Sequence, residues 1–267
     1  MGLNRQHAAE IISHSFIGRG YYRLVLRAPD AARSALPGQF VMLRVSQYLD
    51  PFLARPLGIY SIPSKSSIEI VYRVAGRGTS LLTQMEPGSS LAMLGPLGRG
   101  FPAVEPGATP VLVAGGSGFP PLHFFASRLR RGGLSTPLFI GARDRAGLPP
   151  QPVLASFRKY GAKISMATED GSAGVKCMVT SILDDYLSKS GHAASSVLYA
   201  CGPRAMLAVV SRVARDRSIR CFVSMEERMA CGVGACMGCS VRSGTGGFKR
   251  ICTEGPVFEA GELDWSS

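Results

Sequence analysis

Apolar and polar positions change rhythm twice along the chain. Up to about residue 105 the apolar positions come in short β-rich runs, 21–26 (YYRLVL), 39–45 (QFVMLRV) and 67–74 (SIEIVYRV). Pro and Gly part them, the pattern of a small antiparallel barrel. From Gly107 the runs read as buried strands, 111–114 (VLVA), 137–141 (PLFIG), 162–166 (AKISM) and 196–200 (SVLYA), each followed by a stretch with helical spacing. Such alternation predicts a doubly wound parallel sheet. Pro203 stands at the first turn of the helical stretch 204–214, where its missing N–H costs nothing. Gly132 and Gly191 stand just past two other helical stretches, as C-terminal caps. A last strand, 221–224 (CFVS), runs into a tail where 240–242 (SVR) and 248–251 (FKRI) read as the arms of a hairpin. The expected division is a barrel over 1–105, an α/β domain over 106–224 and a small subdomain over 225–267.

Composition adds bounds rather than shape. The 267 residues are 46% hydrophobic and 18% charged, which suits globular domains with real cores. The net charge of +12 invites a nucleic-acid partner, but the basic residues are dispersed. The local groups at 128–131 (RLRR) and 212–220 fall on predicted helices without interleaved aromatics, so no nucleic-acid partner is expected. No apolar run approaches the ~20 residues of a membrane span, and residues 1–6 lack a signal-like stretch, so a reducing cytoplasm is the expected setting.

The tail carries the most specific chemistry. Cys231, Cys236, Cys239 and Cys252 stand at C-x4-C-x2-C-x12-C, the plant-type spacing of a [2Fe–2S] site. The glycines among them let backbone amides turn toward the sulfurs. A hairpin turn centred on Thr245-Gly246 would set Cys239 opposite Cys252, where facing α-carbons are about 4.5–5.5 Å apart. A structural zinc site would also take four cysteines, though zinc usually draws C-x2-C pairs from two knuckles. Disulfides are the third reading, disfavoured by the odd total of seven cysteines. Cys177, Cys201 and Cys221 read as buried small hydrophobes.

Two glycine-bearing turns suit a dinucleotide. Gly115-Gly116-Ser117-Gly118 lies between the first strand of the sheet and its helix, where backbone can approach a pyrophosphate. Cys201-Gly202-Pro203 recurs at the same carboxyl edge of the sheet, so a nicotinamide could lie between the two. In the barrel segment Arg55-Pro56-Leu57-Gly58, Val71-Tyr72-Arg73 and Gly78-Thr79 each read as ordinary loop or strand pieces in isolation.

Taken in order, Arg55-Pro56-Leu57, Val71-Tyr72-Arg73, Gly78-Thr79, 94–98 (LGPLG), the turn 115–118 and Cys201-Gly202-Pro203 resemble the ferredoxin reductase superfamily. The tail 225–236 (MEERMACGVGAC), Cys239 and 252–258 (CTEGPVF) narrow the resemblance to the electron-transfer subunits of type 1B dihydroorotate dehydrogenases. The resemblance covers nearly the whole chain. It implies FAD on the barrel, held by Arg55, Pro56, Leu57, Gly58, Val71, Tyr72, Arg73, Gly78 and Thr79. It implies NAD on the sheet, at Gly115, Gly116, Gly118, Cys201, Gly202 and Pro203, and a [2Fe–2S] cluster on the four tail cysteines. Two positions depart from the family's pattern. Gly58 stands where relatives usually carry Ser beside flavin N5, leaving a backbone N–H or Ser61 as the substitute, and Ala114 leaves the glycine turn one Gly short.

The activity so implied is electron transfer from an FMN-containing dihydroorotate dehydrogenase catalytic subunit through the cluster and FAD to NAD⁺, in pyrimidine biosynthesis. The two chains are expected to form a heterotetramer of two of each. A nicotinamide exchanges electrons in pairs and the cluster singly, and a flavin can do either, so no side chain is needed as acid, base or nucleophile. Related flavin/iron–sulfur subunits of a sulfhydrogenase or an NADPH–ferredoxin oxidoreductase share the flavin and nicotinamide motifs, and a basic zinc-binding interaction module is the non-enzymatic rival. Arg143 and Arg145 leave the choice between NAD and NADP open.

Overall fold

The first element is a strand that the sequence reading did not name. In the computed structural model, which describes residues 6–46, 48–189 and 191–266, β1 (Gln6–Gly18) is followed by β2 (Tyr21–Arg27), α1 (Pro29–Ser34) and β3 (Phe40–Arg44). Then come β4 (Arg55–Ser64), β5 (Ser67–Arg73), α2 (Arg77–Leu82) and β6 (Ser90–Leu97). The strands close into an antiparallel barrel of order β1-β2-β5-β4-β3-β6. Strict alternation on β6 and the inward side chains Ile11, Leu24, Val41, Ile59 and Ile70 build its core.

Residues 55–58, expected as a loop piece, are the first half of β4. They pair with β3, Met42 opposite Pro56 and Phe40 opposite Gly58, while β4 meets β5 only from Ile59 opposite Ile70 onward. Pro56 is tolerated because its side of the strand toward β5 has no ladder bond to lose.

The second half alternates as expected: β7 (Thr109–Gly115), α3 (Phe119–Arg131), β8 (Thr136–Ala142), α4 (Gln151–Lys159), β9 (Ala162–Thr168) and β10 (Val175–Lys176). α5 (Val179–Leu187), α6 (His192–Ser195), β11 (Ser196–Cys201), α7 (Arg204–Asp216) and β12 (Arg220–Ser224) complete it. With β7 central, β8 and β9 on one side and β11 and β12 on the other, the parallel strands are doubly wound. Two helix ends differ from expectation and one agrees. Pro203 is the residue before α7 rather than within its first turn, whereas Gly132 (φ −83°) caps α3 as expected, with the left-handed residue next to it, Gly133 (φ 80°). Gly191 is left-handed (φ 81°) but lies next to α6, beyond the Ser188 cap of α5.

The tail folds back on both halves. β13 (Ser240–Arg242) and β14 (Phe248–Arg250) form the hairpin, α8 (Ile251–Glu254) follows, and β15 (Val257–Glu259) adds an antiparallel edge to the sheet, with Ser224 opposite Val257. The hairpin register is one residue from that expected. Ser240 faces Arg250, so the turn centres on Thr245 alone, and Ile251 rather than Cys252 bonds to Cys239 (N to O 3.1 Å). Gly246 and Gly247, both at positive φ, supply the extra turn residue. Cys252 reaches its partner from the first turn of α8 instead.

Barrel and sheet are joined through α3. The His123 ring stacks on Tyr60 of β4 at a centroid distance of 3.7 Å and an interplanar angle of 5°. Its Nδ1–H donates to the Tyr60 carbonyl (3.1 Å), so Nε2 accepts from the Ser156 hydroxyl (2.7 Å). Burial holds this imidazole neutral, its pKa pushed down to about 3.

Candidate functional site

β4 and β5 part beyond the Ile59–Ile70 pair, and a cavity of about 600 Å³ opens there. Pro56, Leu57 and Gly58 border it from one strand and Val71, Tyr72 and Arg73 from the other. The parted edges offer backbone N–H and C=O groups to a planar ring, as a heterocycle would require. Tyr21 lies in the same wall, 1% exposed, and its hydroxyl has no hydrogen-bond partner among the described residues. A polar atom so buried needs a partner, and a flavin in this cavity would give it one. The donor set and the parted strands fit FAD.

Arg55, Gly78 and Thr79 stand outside this lining. The Arg55 guanidinium packs on Gly78 and its Nη1 donates to the Leu53 carbonyl at 2.6 Å. The Thr79 hydroxyl accepts from Ala75 N–H (3.0 Å) and Gly76 N–H (3.2 Å) and donates to Gly76 O (2.9 Å), which locks the entry to α2. That hydroxyl serves the turn, and backbone groups are what the segment offers a phosphate. Ser61, considered as a substitute for the missing Ser at 58, donates its hydroxyl to buried Glu69 and is thereby occupied.

A second cavity, about 590 Å³, lies at the carboxyl ends of β7, β8 and β11 and is bordered by Gly115, Gly116, Gly118, Gly202 and Pro203. Its glycines are steric requirements. A Cβ on Gly202 would come 2.9 Å from Gly115 Cα, and one on Gly118 would strike the Cys201 carbonyl. The two turns thus touch, as a site shared between them demands. Cys201 itself is 0% exposed and lies outside the lining, a correction to its expected contact. Burial raises its thiol well above the ordinary range, against a hydrogen bond with Ser224. The side chain stands off one face of the central strand β11 and is buried in the apolar cluster packed there. Arg143, Asp144 and Glu169 border the cavity, whereas Arg145 is turned to Ser172 (Nε to O 3.1 Å).

The two cavities meet at Arg73, Ser117 and Glu226, which border both. Glu226 also borders a third, more open groove of about 550 Å³ with Leu53, Arg55, Arg228 and Met229. Its side chain is exposed to these cavities, and the protein walls around it raise the pKa of its carboxyl. Sequence reasoning passed over Glu226; its place just beyond the carboxyl end of β12, on the same sheet edge as both glycine turns, was the available signal.

Met229 borders the first cavity and the cysteine loop begins at Cys231. The loop packs on the barrel: a Cβ on Gly232 would come 2.9 Å from Met42 Cγ and 3.2 Å from Leu97 Cδ1. The four thiols neighbour one another in two pairs, Cys231 with Cys236 and Cys252 with Cys239. Two thiolates for each of two irons is what a [2Fe–2S] centre takes. Among the described residues no set of three or more His, Cys, Asp or Glu closes on a single ion. Backbone N–H groups aim at the sulfurs, Val233 at Cys231 (3.5 Å) and Gly238 at Cys236 (3.4 Å). Burial opposes ionisation of Cys231, but the amides of Val233, Cys236 and Ala235 and the Cys236 side chain prevail and pull its thiol down to about 6. Cys252 is pushed up to about 11, by burial and then by Cys239, which is the behaviour of crowded thiols that a cation would reverse. The residues fit the cluster.

Residues 226–264 match the iron–sulfur cluster binding domain of dihydroorotate dehydrogenase B. The dihydroorotate dehydrogenase B (NAD(+)) electron transfer subunit of Desulforamulus reducens is 35% identical, over 96% of this chain and 97% of its own length. That of Geobacillus thermodenitrificans is 39% identical, over 95% and 96%. The structure of an NADH-dependent reduced ferredoxin–NADP oxidoreductase, described for flavin-based electron bifurcation, superposes with a TM-score of 0.81 at 26% identity, covering 97% of this chain and 90% of that one. A Neisseria gonorrhoeae ferredoxin NADP⁺ reductase with bound FAD and NADP shares the fold, with a TM-score of 0.64 at 16% identity over 79% of this chain and 91% of that one.

Barrel, doubly wound sheet and paired cysteines together define an oxidoreductase of ferredoxin reductase type with an iron–sulfur segment. Within that class the chain belongs to the family of dihydroorotate dehydrogenase B (NAD⁺) electron transfer subunits.

Proposed function

We propose that the chain passes electrons taken from dihydroorotate by a catalytic partner subunit to NAD⁺, in pyrimidine biosynthesis. The observation that carries this reading is the meeting of the two cavities at Arg73, Ser117 and Glu226, with Met229 leading on toward the cysteine loop. When bound, FAD would exchange electrons singly with a [2Fe–2S] cluster and in pairs, as hydride, with NAD⁺.

The side chains bind and orient. Pro56 to Gly58 and Val71 to Arg73 frame the flavin cavity, and Tyr21 offers its hydroxyl from the wall. Gly115, Gly116, Gly118, Gly202 and Pro203 let a dinucleotide backbone approach the sheet edge. Asp144 and Glu169 stand beside Arg143 in the same cavity, and carboxylates there suit a ribose hydroxyl better than a 2′-phosphate, which favours NAD. Cys231, Cys236, Cys239 and Cys252 hold the cluster as two pairs, and no side chain is assigned an acid, base or nucleophilic role. The barrel, the α/β sheet and the cysteine segment correspond to divisions near residues 105 and 224, with β15 returned to the sheet.

The partner is read as an FMN-containing dihydroorotate dehydrogenase chain, two of each in the assembly, in the cytoplasm. Among the described residues no helix is long and apolar enough to cross a membrane. The test is copurification with the catalytic chain followed by dihydroorotate-dependent NAD⁺ reduction. Turnover that needs both chains is the expected result; a loaded complex that reduces ferredoxin but not NAD⁺ would reassign the acceptor.

A further inference from the structure

The Ile59–Ile70 pair, where β4 and β5 part, has an irregularity on its other side. Between it and the next pair, Ser61–Glu69, β4 advances two residues against one, so Tyr60 is the extra residue of a β-bulge. The extra residue of a bulge is left unpaired by the ladder, and here its carbonyl is taken by His123 Nδ1–H at 3.1 Å. Across from it, buried Glu69 is held by the Ser61 hydroxyl and by Arg23 (Nε to O 2.7 Å). Both flanks of the bulge are fastened.

The His123 ring is itself held on several sides. Besides its parallel stack on Tyr60, it meets Phe157 edge-on (4.9 Å, 85°) and Tyr160 at 5.1 Å, and its Nε2 accepts from Ser156. A ring with so many fixed contacts keeps one orientation. What lies on either side of the stack gives it a meaning beyond packing. Gly58, two residues before Tyr60, borders the first cavity, and Pro120 and Pro121, just before His123 on α3, border the same cavity. Ser117, in the turn that opens α3, borders both cavities. One helical turn therefore runs from the nicotinamide turn to the flavin strand, and His123 pins it there. Arg19, which ties the barrel to the Leu148 and Pro149 carbonyls (3.1 and 3.2 Å), borders neither cavity.

We infer that His123 is a positioning residue for hydride transfer: by holding the Tyr60 bulge against α3, it sets the distance and tilt between the flavin site on β4 and the nicotinamide site at the 115–118 turn. This rests on the reading above, in which FAD and NAD occupy the two cavities. The step moves one hydride, two electrons with one proton, from reduced flavin to NAD⁺ and leaves oxidised flavin and NADH. Such a step needs its reacting atoms about 3–3.5 Å apart, and an error of about 1 Å can cost about 100-fold in rate. His123 borders neither cavity, so it acts only through the two elements it joins.

The test follows reduction of the FAD-loaded full chain by NADH in stopped flow, for the parent, His123→Ala and His123→Phe. Beside the rate it records the long-wavelength charge-transfer absorbance of the nicotinamide–flavin pair, which reports their stacking directly. In His123→Ala the rate should fall about 100-fold and the charge-transfer band vanish, with FAD per chain and the NADH dissociation constant within about twofold of the parent. His123→Phe keeps the ring stack and should recover about tenfold of the lost rate. A parent-like rate and band in His123→Ala, or a rate lost only in step with lost FAD, overturns the assignment and leaves the electron-transfer reading standing. Where the alanine variant does not fold with its flavin, His123→Phe and Ser156→Ala decide: weakened bands uphold the role, and parent-like bands in both overturn it. A parent that NADH does not reduce at all removes the cofactor reading, and the positioning role with it.

Discussion

The Arg55 guanidinium lies on Gly78, close enough that a β-carbon at 78 would overlap its Nε. Strand β4 and helix α2 meet at this contact, and both residues, though outside the cavity lining, are ones the family resemblance assigns to FAD. Gly78→Ala should displace the flexible end of Arg55 rather than the backbone. Stability should change by less than about 1 kcal/mol, while the FAD retained per chain on purification falls about tenfold. The flavin absorbance of the gel-filtered protein, with a thermal melt as control, reads both.

Cys231→Ser and Cys252→Ser each remove a thiolate from a different pair. Either variant should lose the cluster's visible absorption and keep the flavin's. Cys201→Ser, within the buried sheet, should keep both spectra. Iron analysis beside the spectra separates the outcomes, and a full cluster spectrum in Cys252→Ser would refute its place in the ligand set.

His123 makes folding acid-sensitive. The unfolded imidazole titrates near 6.5, the folded one is pushed down to about 3, and the fold therefore holds the neutral form. Its contribution is fully present above pH 6.5 and is lost as pH falls through the window toward 3, on the order of 4 kcal/mol at the bottom. In His123→Phe the ring stack can persist without a titrating group. Urea midpoints between pH 4 and 8 should fall less steeply for the variant, even though unpairing Ser156 and the Tyr60 carbonyl costs about 1–3 kcal/mol at neutral pH.

Gly118→Ala and Gly116→Ala should differ in kind. At 118 the new Cβ meets the Cys201 carbonyl, part of a central strand that cannot yield, so overpacking of about 1–3 kcal/mol and slower flavin reduction by NADH are expected. At 116 (φ 53°) no atom lies within 4 Å, and only the left-handed backbone is penalised, by about 1 kcal/mol. Melting temperatures and stopped-flow reduction rank the two.

Gly58→Ser is accommodated, because a Cβ there would lie 3.8 Å from Pro121 Cδ, an ordinary contact. The added hydroxyl would face the flavin cavity. Ser61 cannot do the same work, since its hydroxyl is held by Glu69. Melting should be unchanged and the rate of flavin reduction altered, whereas a destabilised variant would show the cavity wall tighter than described.

What the chain disclosed in advance depended on how far each signal was local. The sheet strands were legible because a strand covered on both faces is a continuous apolar run, as at 111–114. β4 was not, because Pro56 and Gly58 mimic a loop and only the change of partner from β3 to β5 makes them a strand. The cysteine spacing marked four candidate donors. The hairpin register did not follow from it, since one additional turn residue moved Cys252 onto α8. Glu226 was hidden because its meaning comes from three cavities that converge only in the folded chain.

Ser224 and Val257 sit opposite each other on adjacent strands, so the cysteine segment leaves the sheet and returns to it across a single rung. It is a handle riveted at both ends, not a flap on a hinge. Chelating the metal from the assembled protein should therefore loosen the handle's bow without letting it swing, and the empty handle should take up iron and sulfide again with no need to unfold the remainder.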